Sequence, residues 1–256
     1  MKVIDLSIEL EPDLPQDPPE MIPRFQFMDH SIGIQTMMDT FGCSADALPK
    51  EGLCAHNVIT CSDHSGTHMD APLHYSPITD DGKPAQSIEM LPLEDCYGDG
   101  VCIHFQDKPD GYRVMPEDLE EYFSQVGYTV KPGDIVLLHT GAYAKAGRTA
   151  QYLLTGCGMS RAATLWLCER GVKVVGTDAW SWDRPLPLIK QDYAVTHDPS
   201  LIWEGHLAGR TMPYFQMEKM NNLDKLPPFG FRIIAAPIRI KHGTAGWVRP
   251  LAFLDD

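Results

Sequence analysis

Two β-rich runs separated by a helix constrain the fold of this chain more than any other feature. The runs cover 134–138 and 172–177, and the helix between them begins at the candidate cap Ser160 and ends before Gly171. Alternation of strands and helices is typical of α/β proteins. We therefore predict an α/β fold, a single domain with a mixed β-sheet flanked by helices.

The rest of the chain agrees with this fold class. The segment MPEDLEEYFSQVG has Pro116 in its first turn and Gly127 at its end, and its apolar residues recur at helical spacing, which predicts a helix with one buried face. Prolines and glycines, Gly33 among them, interrupt 11–56 and predict an irregular segment. Alternating or β-rich runs predict further strands over 2–10, 101–105, 231–240 and 247–254.

Length and charge limit the class of protein. A chain of 256 residues fits one large domain over 1–256, because single hydrophobic cores stop growing at roughly 250–300 residues. Hydrophobic residues make up 43% and charged residues 22%, as in an ordinary globular protein. The formal net charge of −14 argues against nucleic acid as a partner, since binding to phosphates requires clustered Lys and Arg.

We expect neither an export signal nor a membrane span in this chain. Acidic residues interrupt the apolar runs near the amino terminus, and no later run reaches the roughly 20 apolar residues of a membrane span. The seven cysteines are scattered without a C-x-x-C pair, which favours reduced thiols. We expect a cytoplasmic protein with no membrane partner.

One short segment carries the chemistry. Residues 64–74, HSGTHMDAPLH, contain three histidines and an aspartate, whereas about 0.4 histidines are expected by chance in a window of this length. Gly66 and Pro72 make a helix improbable, and an extended backbone would direct His64, His68, Asp70 and His74 to one side, since strand side chains alternate. Imidazole and carboxylate together suit zinc, manganese or iron, so the segment predicts a metal site.

The same segment matches the pattern H-x-G-T-H-x-D-x-P-x-H, and the chain resembles the cyclase-type metal hydrolases, a family that includes bacterial kynurenine formamidases and isatin hydrolases. The resemblance covers nearly the whole chain, including GDIVLLHTGAY and the closing FRIIAAPIRIKHGTAGWVRPLAFL. It implies a fold of the swivelling β/β/α type and a homodimer or higher homo-oligomer.

The resemblance also implies roles for individual residues. His64, His68 and Asp70 would bind one metal, and Asp70 would bridge to a second metal held by His206 and Glu218. The cofactor would be a divalent metal, zinc or manganese, with two ions per chain. His74 would move a proton near the metals, and a ligand role for His74 is the alternative.

Four more residues are candidates for contact with a small-molecule substrate. His139 ends a predicted strand, where pocket residues often lie, although a structural histidine is the alternative. Trp180 and Trp203 are candidates for an aromatic pocket, or for the core. Arg249 matches a family position close to the site, although an arginine on a strand also suits a surface ion pair.

These features together predict a metal-dependent hydrolase that acts on a carbon–nitrogen bond of a small aromatic or cyclic amide, such as an arylformamide, lactam or imide. A metal pair activates a water molecule and polarises a carbonyl oxygen. No G-x-S-x-G motif is present, so a nucleophilic serine is not indicated. The alternatives are a lactone hydrolase, a cyclase or lyase that acts through an enolate, and a metal-binding protein without catalysis.

Overall fold

A computed structural model of the protein describes residues 1–255. Within this part of the chain there are thirteen β-strands, numbered in chain order as β1 (Lys2–Asp5), β2 (Arg24–Met28), β3 (His56–Thr60), β4 (His68–Asp70), β5 (Tyr97–His104), β6 (Arg113–Val114), β7 (Ile135–His139), β8 (Gly158–Met159), β9 (Val174–Thr177), β10 (Phe215–Glu218), β11 (Phe229–Ile234), β12 (Ala245–Trp247) and β13 (Leu251–Leu254).

The same residues contain seven α-helices, which are α1 (His30–Phe41), α2 (Pro72–Tyr75), α3 (Pro116–Val126), α4 (Ala142–Ala146), α5 (Arg161–Glu169), α6 (Leu186–Thr196) and α7 (Glu204–Thr211). Helix α3 begins with Pro116 and ends at Gly127, whose φ of 68° suits a residue without a side chain. Ser160 caps α5 through its hydroxyl, which accepts a hydrogen bond from the Ala163 N–H at 3.0 Å. Both predicted helices are therefore confirmed.

Nine of the strands form one mixed sheet in the order β1-β13-β11-β5-β7-β9-β10-β4-β12. The central strands β5, β7, β9 and β10 are parallel, and the strands on either side are antiparallel. Strand β7, helix α5 and strand β9 form the predicted strand–helix–strand unit. The α/β fold with a mixed sheet is confirmed.

Apolar residues pack on both faces of this sheet. One cluster joins Ile4 of β1 and Ala252 of β13 to Met69 and Met217 near the opposite edge, so the sheet curls around it. The second cluster lies on the other face, where α3, α5 and α7 pack on residues such as Val136. Burying apolar residues on both faces explains why the central strands read as continuous apolar runs in the sequence.

Three neighbouring strands, β10, β4 and β12, position the candidate site. In the β10–β4 pair Gln216 lies opposite Asp70 and Glu218 lies opposite His68. Because strand side chains alternate, these four polar residues share one face of the sheet, while Met69 lies on the opposite face in the apolar core. The register therefore brings residues from distant parts of the chain to one place.

The predicted element boundaries differ from the structure in several places. The first strand ends at Asp5, and the run 247–254 forms two strands separated by Val248–Pro250. The segment 11–56 contains the hairpin β2–β3 and the helix α1, which includes Gly33. Glycine is required there because a Cβ atom on Gly33 would lie 1.8 Å from the Cys54 carbonyl oxygen. In the sequence Gly33 indicated an irregular segment, whereas in the structure it allows helix α1 to pack closely against the backbone of Cys54.

All seven cysteines are free thiols. None of the helices in residues 1–255 combines the length and the apolar character that crossing a bilayer requires.

Candidate metal centre

The histidine-rich segment adopts three conformations in succession. It is extended over β4 and Ala71 alone, because Gly66 has a φ of 66° and begins a turn toward the strand, and Pro72 starts helix α2. Ala71 is extended, as Pro72 predicts. The prediction that a helix is improbable in this segment was wrong for Pro72–Tyr75, since a proline that excludes a helix before it also suits the first position of one. Turn, strand and helix nevertheless direct all four polar side chains to one place.

Three of these side chains converge on one oxygen atom. Oδ1 of Asp70 lies 2.9 Å from Nδ1 of His64 and 3.2 Å from Nε2 of His68. Both Oδ1 of Asp70 and Nε2 of His68 are buried without a hydrogen-bond partner. Buried polar atoms are rarely left in this state unless an ion or water serves them. The three residues therefore fit a divalent cation, and we call them the first ligand group.

The outward-facing nitrogens of the two imidazoles have partners of their own. Nδ1 of His68 lies 2.9 Å from the Gly66 carbonyl oxygen, and Nε2 of His64 lies 3.1 Å from the Thr244 hydroxyl. Metal-binding histidines usually donate the second ring nitrogen in this way, which fixes the orientation of the ring. Each ring thus presents its remaining nitrogen to Asp70.

A second group of ligand-type atoms adjoins the first. Nε2 of His206 lies 3.7 Å from Oδ2 of Asp70 and 3.6 Å from Oε1 of Glu218. His206 lies on α7 and Glu218 on β10, and both are buried, with 2% and 5% exposure. We call Asp70 Oδ2, His206 and Glu218 the second ligand group. The structure thus brings together all five residues that the resemblance implied as ligands.

Asp183 holds His206, and the sequence did not single it out. One of its carboxylate oxygens accepts from Nδ1 of His206 at 2.5 Å and from the His206 N–H, while the other accepts from the Gly205 N–H at 2.7 Å. A carboxylate at the amino end of α7 is favoured by the helix dipole. The contact leaves Nε2 of His206 facing the second ligand group. Its only sequence signal was the position of Asp183 in GTDAWSWD, directly after Trp182.

Gln216 is the other residue that sequence reasoning missed. Its Nε2 donates to Oε1 of Glu218 at 2.9 Å and to Oδ2 of Asp70 at 3.1 Å, and it lies 2.8 Å from Nε2 of His206. The Tyr214 hydroxyl lies 2.7 Å from Oε1 of Gln216 and 2.9 Å from the Gly205 carbonyl oxygen, and its single proton is shared between these two acceptors. Gln216 is completely buried. Its amide nitrogen therefore occupies the centre of the second ligand group.

The two carboxyl groups of the centre differ in electrostatics. Burial acts to raise the pKa of Asp70, but the neighbouring imidazoles, His68 foremost, hold it well below its usual value. Burial together with the charge of Asp70 raises the pKa of Glu218. Asp70, which belongs to both groups, is therefore ionised at neutral pH.

His74 projects from α2 toward the same centre. Its ring centroid lies 4.1 Å from that of His64 and 5.6 Å from that of His206. Burial is the main reason that the pKa of His74 is lowered to about 4, with Asp70 acting in the opposite direction. A neutral imidazole beside the first ligand group can accept a proton, and its nitrogen also lies close enough to share a cation with His64 and Asp70.

Trp203 forms an aromatic wall of the site. Its ring stacks on His206, with centroids 4.3 Å apart and planes 18° apart, and meets the His74 ring edge-on at 5.0 Å. Away from the histidines, Trp203 lines an apolar groove of about 370 Å³ together with residues of α6 and Ile202, among them Leu186, Ile189 and Tyr193. An apolar groove thus adjoins the proposed proton-transfer residue.

The other three residues predicted to contact a substrate make contacts outside this cluster. Nδ1 of His139 lies 2.9 Å from Nδ1 of His104 at the ends of two parallel strands. Trp180 donates from Nε1 to Asp17 at 2.7 Å, and Arg249 is an exposed residue that pairs with Asp5. Their substrate roles stay predictions.

Comparison with known proteins identifies the class. A family model named Cyclase, with the description "Putative cyclase", matches residues 4–184. This is well over half of the 256 residues, and the chain belongs to this family. The resemblance read from the histidine-rich segment is thus confirmed.

Individual relatives agree with this assignment. A kynurenine formamidase of Erythrobacter litoralis is 28% identical over 195 residues, which cover 75% of this chain and 74% of that protein. An isatin hydrolase of Roseibium aggregatum is 26% identical over 221 residues, covering 78% of this chain and 75% of the relative. The solved structure of isatin hydrolase A from Ralstonia solanacearum superposes with a TM-score of 0.77 at 25% identity, covering 99% of this chain and 92% of that one.

Proposed function

We propose that this chain is a metal-dependent hydrolase that opens a carbon–nitrogen bond in a small aromatic or cyclic amide. One observation carries the proposal: His68 Nε2 and Asp70 Oδ1 face each other at 3.2 Å, buried and without hydrogen-bond partners, beside a neutral His74. The two relatives, a kynurenine formamidase and an isatin hydrolase, agree with this class of enzyme.

The residues of the centre have two roles, metal binding and proton transfer. His64, His68 and Asp70 would hold the cation, zinc or manganese, since both accept mixed nitrogen and oxygen ligands. A cation bound there would polarise a carbonyl oxygen and lower the pKa of a water molecule. His74 accepts the proton that the water loses as its oxygen bonds to the carbonyl carbon. It then returns the proton to the leaving nitrogen as the carbon–nitrogen bond breaks.

The surroundings favour an aromatic substrate. Trp203 offers the apolar groove on one side of the site, and aromatic rings pair favourably with tryptophan. On the other side Trp247 lies opposite His68 in the β12–β4 register, on the same face of the sheet. A planar substrate would therefore contact an indole on either side of the first ligand group. Asp70 and His74 would face the polar group of the substrate.

Substrate turnover in heavy-oxygen water tests the proposal. The protein, loaded with manganese or zinc, would be incubated separately with N-formylaniline, isatin and a matched aryl lactone. The masses of the products would be measured by mass spectrometry. We expect one heavy oxygen in the carboxylate product of each amide substrate, which is formate from N-formylaniline and the ring-opened acid from isatin, and none in the aniline. Turnover without incorporation would indicate a lyase or cyclase, and turnover of the lactone alone would indicate an ester hydrolase.

A matched pair of variants links turnover to the centre. Asp70→Asn removes the charge that both ligand groups share, and Asp107→Asn removes the charge of an exposed aspartate elsewhere. We expect Asp70→Asn to lose metal, measured by elemental analysis, together with activity, whereas Asp107→Asn keeps both. Full metal content in Asp70→Asn would contradict the assigned ligands.

A further inference from the structure

The two imidazoles of the first ligand group are held by partners of different kinds. Nδ1 of His68 lies 2.9 Å from the Gly66 carbonyl oxygen, which can only accept a hydrogen bond. Nε2 of His64 lies 3.1 Å from the Thr244 hydroxyl, which can either accept or donate. The carbonyl therefore fixes which nitrogen of His68 carries the proton, whereas the hydroxyl alone does not fix it for His64.

Asp63 determines the direction of the hydrogen bond between His64 and Thr244. The Thr244 hydroxyl donates to Oδ2 of Asp63 at 3.1 Å, and the same oxygen accepts from the Ala245 N–H at 3.2 Å. A carboxylate attracts a donor more strongly than a neutral imidazole does, so the single hydroxyl proton is directed at Asp63. The hydroxyl oxygen is then left to accept, and Nε2 of His64 must be the donor.

This arrangement leaves the other ring nitrogen of His64 free of a proton. Nδ1 of His64 lies 2.9 Å from Oδ1 of Asp70. That oxygen nevertheless has no hydrogen-bond partner, because the direction of the contact is not that of an N–H donor. A histidine binds a metal through an unprotonated nitrogen. The pair Asp63 and Thr244 therefore selects the form of His64 that can bind a cation together with Asp70.

The edge strand β12 fixes Thr244 against the histidine-rich segment, although 180 residues separate Thr244 from His64 in sequence. The Thr244 carbonyl oxygen accepts from the Ala71 N–H at 2.9 Å, directly after β4. Trp247 of β12 donates from Nε1 to the Ser62 carbonyl oxygen at 3.2 Å, before the turn. Both ends of the segment are thus attached to one strand, and the hydroxyl lies between them.

We propose that Asp63 and Thr244 are positioning residues for His64. Asp63 holds the hydroxyl proton of Thr244, the hydroxyl oxygen accepts the Nε2 proton of His64, and Nδ1 of His64 remains available to a divalent cation. The inference rests on the proposed metal-dependent function. Neither positioning residue is assigned a contact with the cation or with the substrate.

Zinc binding by variants of the two residues tests this inference. Thr244→Val keeps the shape of the side chain without the hydroxyl, Asp63→Ala removes the carboxylate, and Thr244→Ser keeps the hydroxyl. We expect the first two variants to raise the Kd for zinc about 10- to 100-fold, since a partner of a metal-binding histidine is lost. Competition with a chelator measures this change. Thr244→Ser and the control Thr129→Val, which removes an exposed hydroxyl elsewhere, should bind zinc as the wild type does.

Nuclear magnetic resonance of the zinc-saturated proteins, labelled with ¹⁵N-histidine, provides a second readout. In the wild type the Nε2 proton of His64 and the Nδ1 proton of His68 should both exchange slowly with water, because each is hydrogen-bonded. Thr244→Val should lose the signal of the His64 proton, and Thr244→Ser should retain it. The signal of the His68 proton should persist in both variants and shows that the centre is folded.

Each result decides a separate question. Unchanged zinc affinity in either Thr244→Val or Asp63→Ala would overturn the inference and leave the proposed function intact. An equal loss of affinity in Thr244→Ser and Thr244→Val would also overturn it, since the hydroxyl would then make no difference. If Thr244→Val loses the His68 signal as well, Asp63→Ala decides, because 28% of the Asp63 side chain is exposed and its removal leaves the core unchanged. A wild type that binds no zinc would overturn the proposed function itself.

Discussion

Lys219 and Asp17 form an ion pair that is almost completely buried, although 202 residues separate them in sequence. Nζ of Lys219 lies 2.5 Å from Oδ1 of Asp17 and also donates to the His64 carbonyl oxygen at 2.9 Å. The Trp180 indole donates to the same carboxylate oxygen. The pair therefore ties the amino-terminal loop to the turn that carries His64, a proposed metal ligand.

Breaking this pair should destabilise the protein and weaken metal binding. Lys219→Met would leave the Asp17 carboxylate buried and unpaired, which typically costs about 3–5 kcal/mol. It would also free the His64 carbonyl, and loss of a supporting contact of this kind lowers metal affinity roughly 10- to 100-fold. Urea denaturation in EDTA and manganese titration measure the two effects.

Two further variants test whether the loss of stability comes from the unpaired buried charge. The double variant Lys219→Met with Asp17→Asn removes both charges and should recover part of the stability lost by the single change, because no buried charge is left unpaired. Lys225→Met, which alters an exposed lysine nearby in sequence, should change neither quantity. A single variant as stable as the wild type would show that the buried pair contributes nothing.

Substitution of His74 distinguishes its two possible roles. If His74 moves a proton, His74→Asn should lower kcat by about 10²- to 10⁴-fold while the bound metal stays constant. If it is a ligand, metal content would fall together with activity, since His74 lies in a group with His64 and Asp70 that could hold a cation. We expect the first result, measured by steady-state kinetics and elemental analysis on the same preparation. His197→Asn is the control, because His197 is exposed and asparagine tolerates its φ of 52°.

The candidate ligands on the histidine-rich segment could be proposed from sequence because they lie within eleven residues, His64 to His74. Their density alone indicated a metal. The backbone conformation could not be predicted, since Gly66 and Pro72 suit both an extended segment and the observed turn and helix. Spacing in sequence thus selected the candidate side chains, whereas their mutual distances depend on the turn, strand and helix that the segment forms.

The distant residues depended on strand register. Glu218 reaches the site because β10 pairs with β4, and nothing near Glu218 in sequence specifies that pairing. Family resemblance supplied Glu218 and His206, whereas Gln216 and Lys219 belonged to no known motif. Lys219 has a φ of 57° and points away from the strand that precedes it, toward Asp17. The contacts of Gln216 and Lys219 can be recognised only once the pairing of the strands is known.

Trp203 should determine the preference for aromatic substrates. Trp203→Ala would remove the ring that stacks on His206 and the wall of the apolar groove. Loss of an aromatic contact costs about 0.5–1.5 kcal/mol beyond the buried area, so KM for an aryl amide should rise roughly tenfold. KM for a small aliphatic formamide should change little. Trp166→Ala, which removes an indole stacked on Phe123 on the far helices, should leave the ratio of the two KM values unchanged. Equal changes for both substrates would contradict a role in specificity.

Asp178 should make stability depend on pH below neutrality. The carboxylate is buried at 3% exposure, and its Oδ1 accepts from the Thr140 N–H at 2.6 Å and the Thr140 hydroxyl at 2.8 Å. Burial outweighs these bonds and raises the pKa of Asp178 from 3.8 to about 6. The folded protein therefore binds a proton more tightly than the unfolded chain does. The resulting stabilisation is fully present below pH 3.8 and is lost as the pH rises to about 6.

The size of this effect follows from the shift, since one pKa unit corresponds to about 1.4 kcal/mol. The free energy of unfolding of the wild type, relative to Asp178→Asn, should fall by roughly 2–3 kcal/mol between pH 4 and pH 7. Urea denaturation of both proteins in EDTA measures the difference, because EDTA removes any bound metal that would compete with protons at the proposed ligands. Asp107→Asn, at an exposed position, should differ from the wild type by the same amount at every pH. A constant difference for Asp178→Asn as well would mean that the buried carboxyl titrates alike in the folded and unfolded protein, so that the Thr140 hydrogen bonds offset its burial in full.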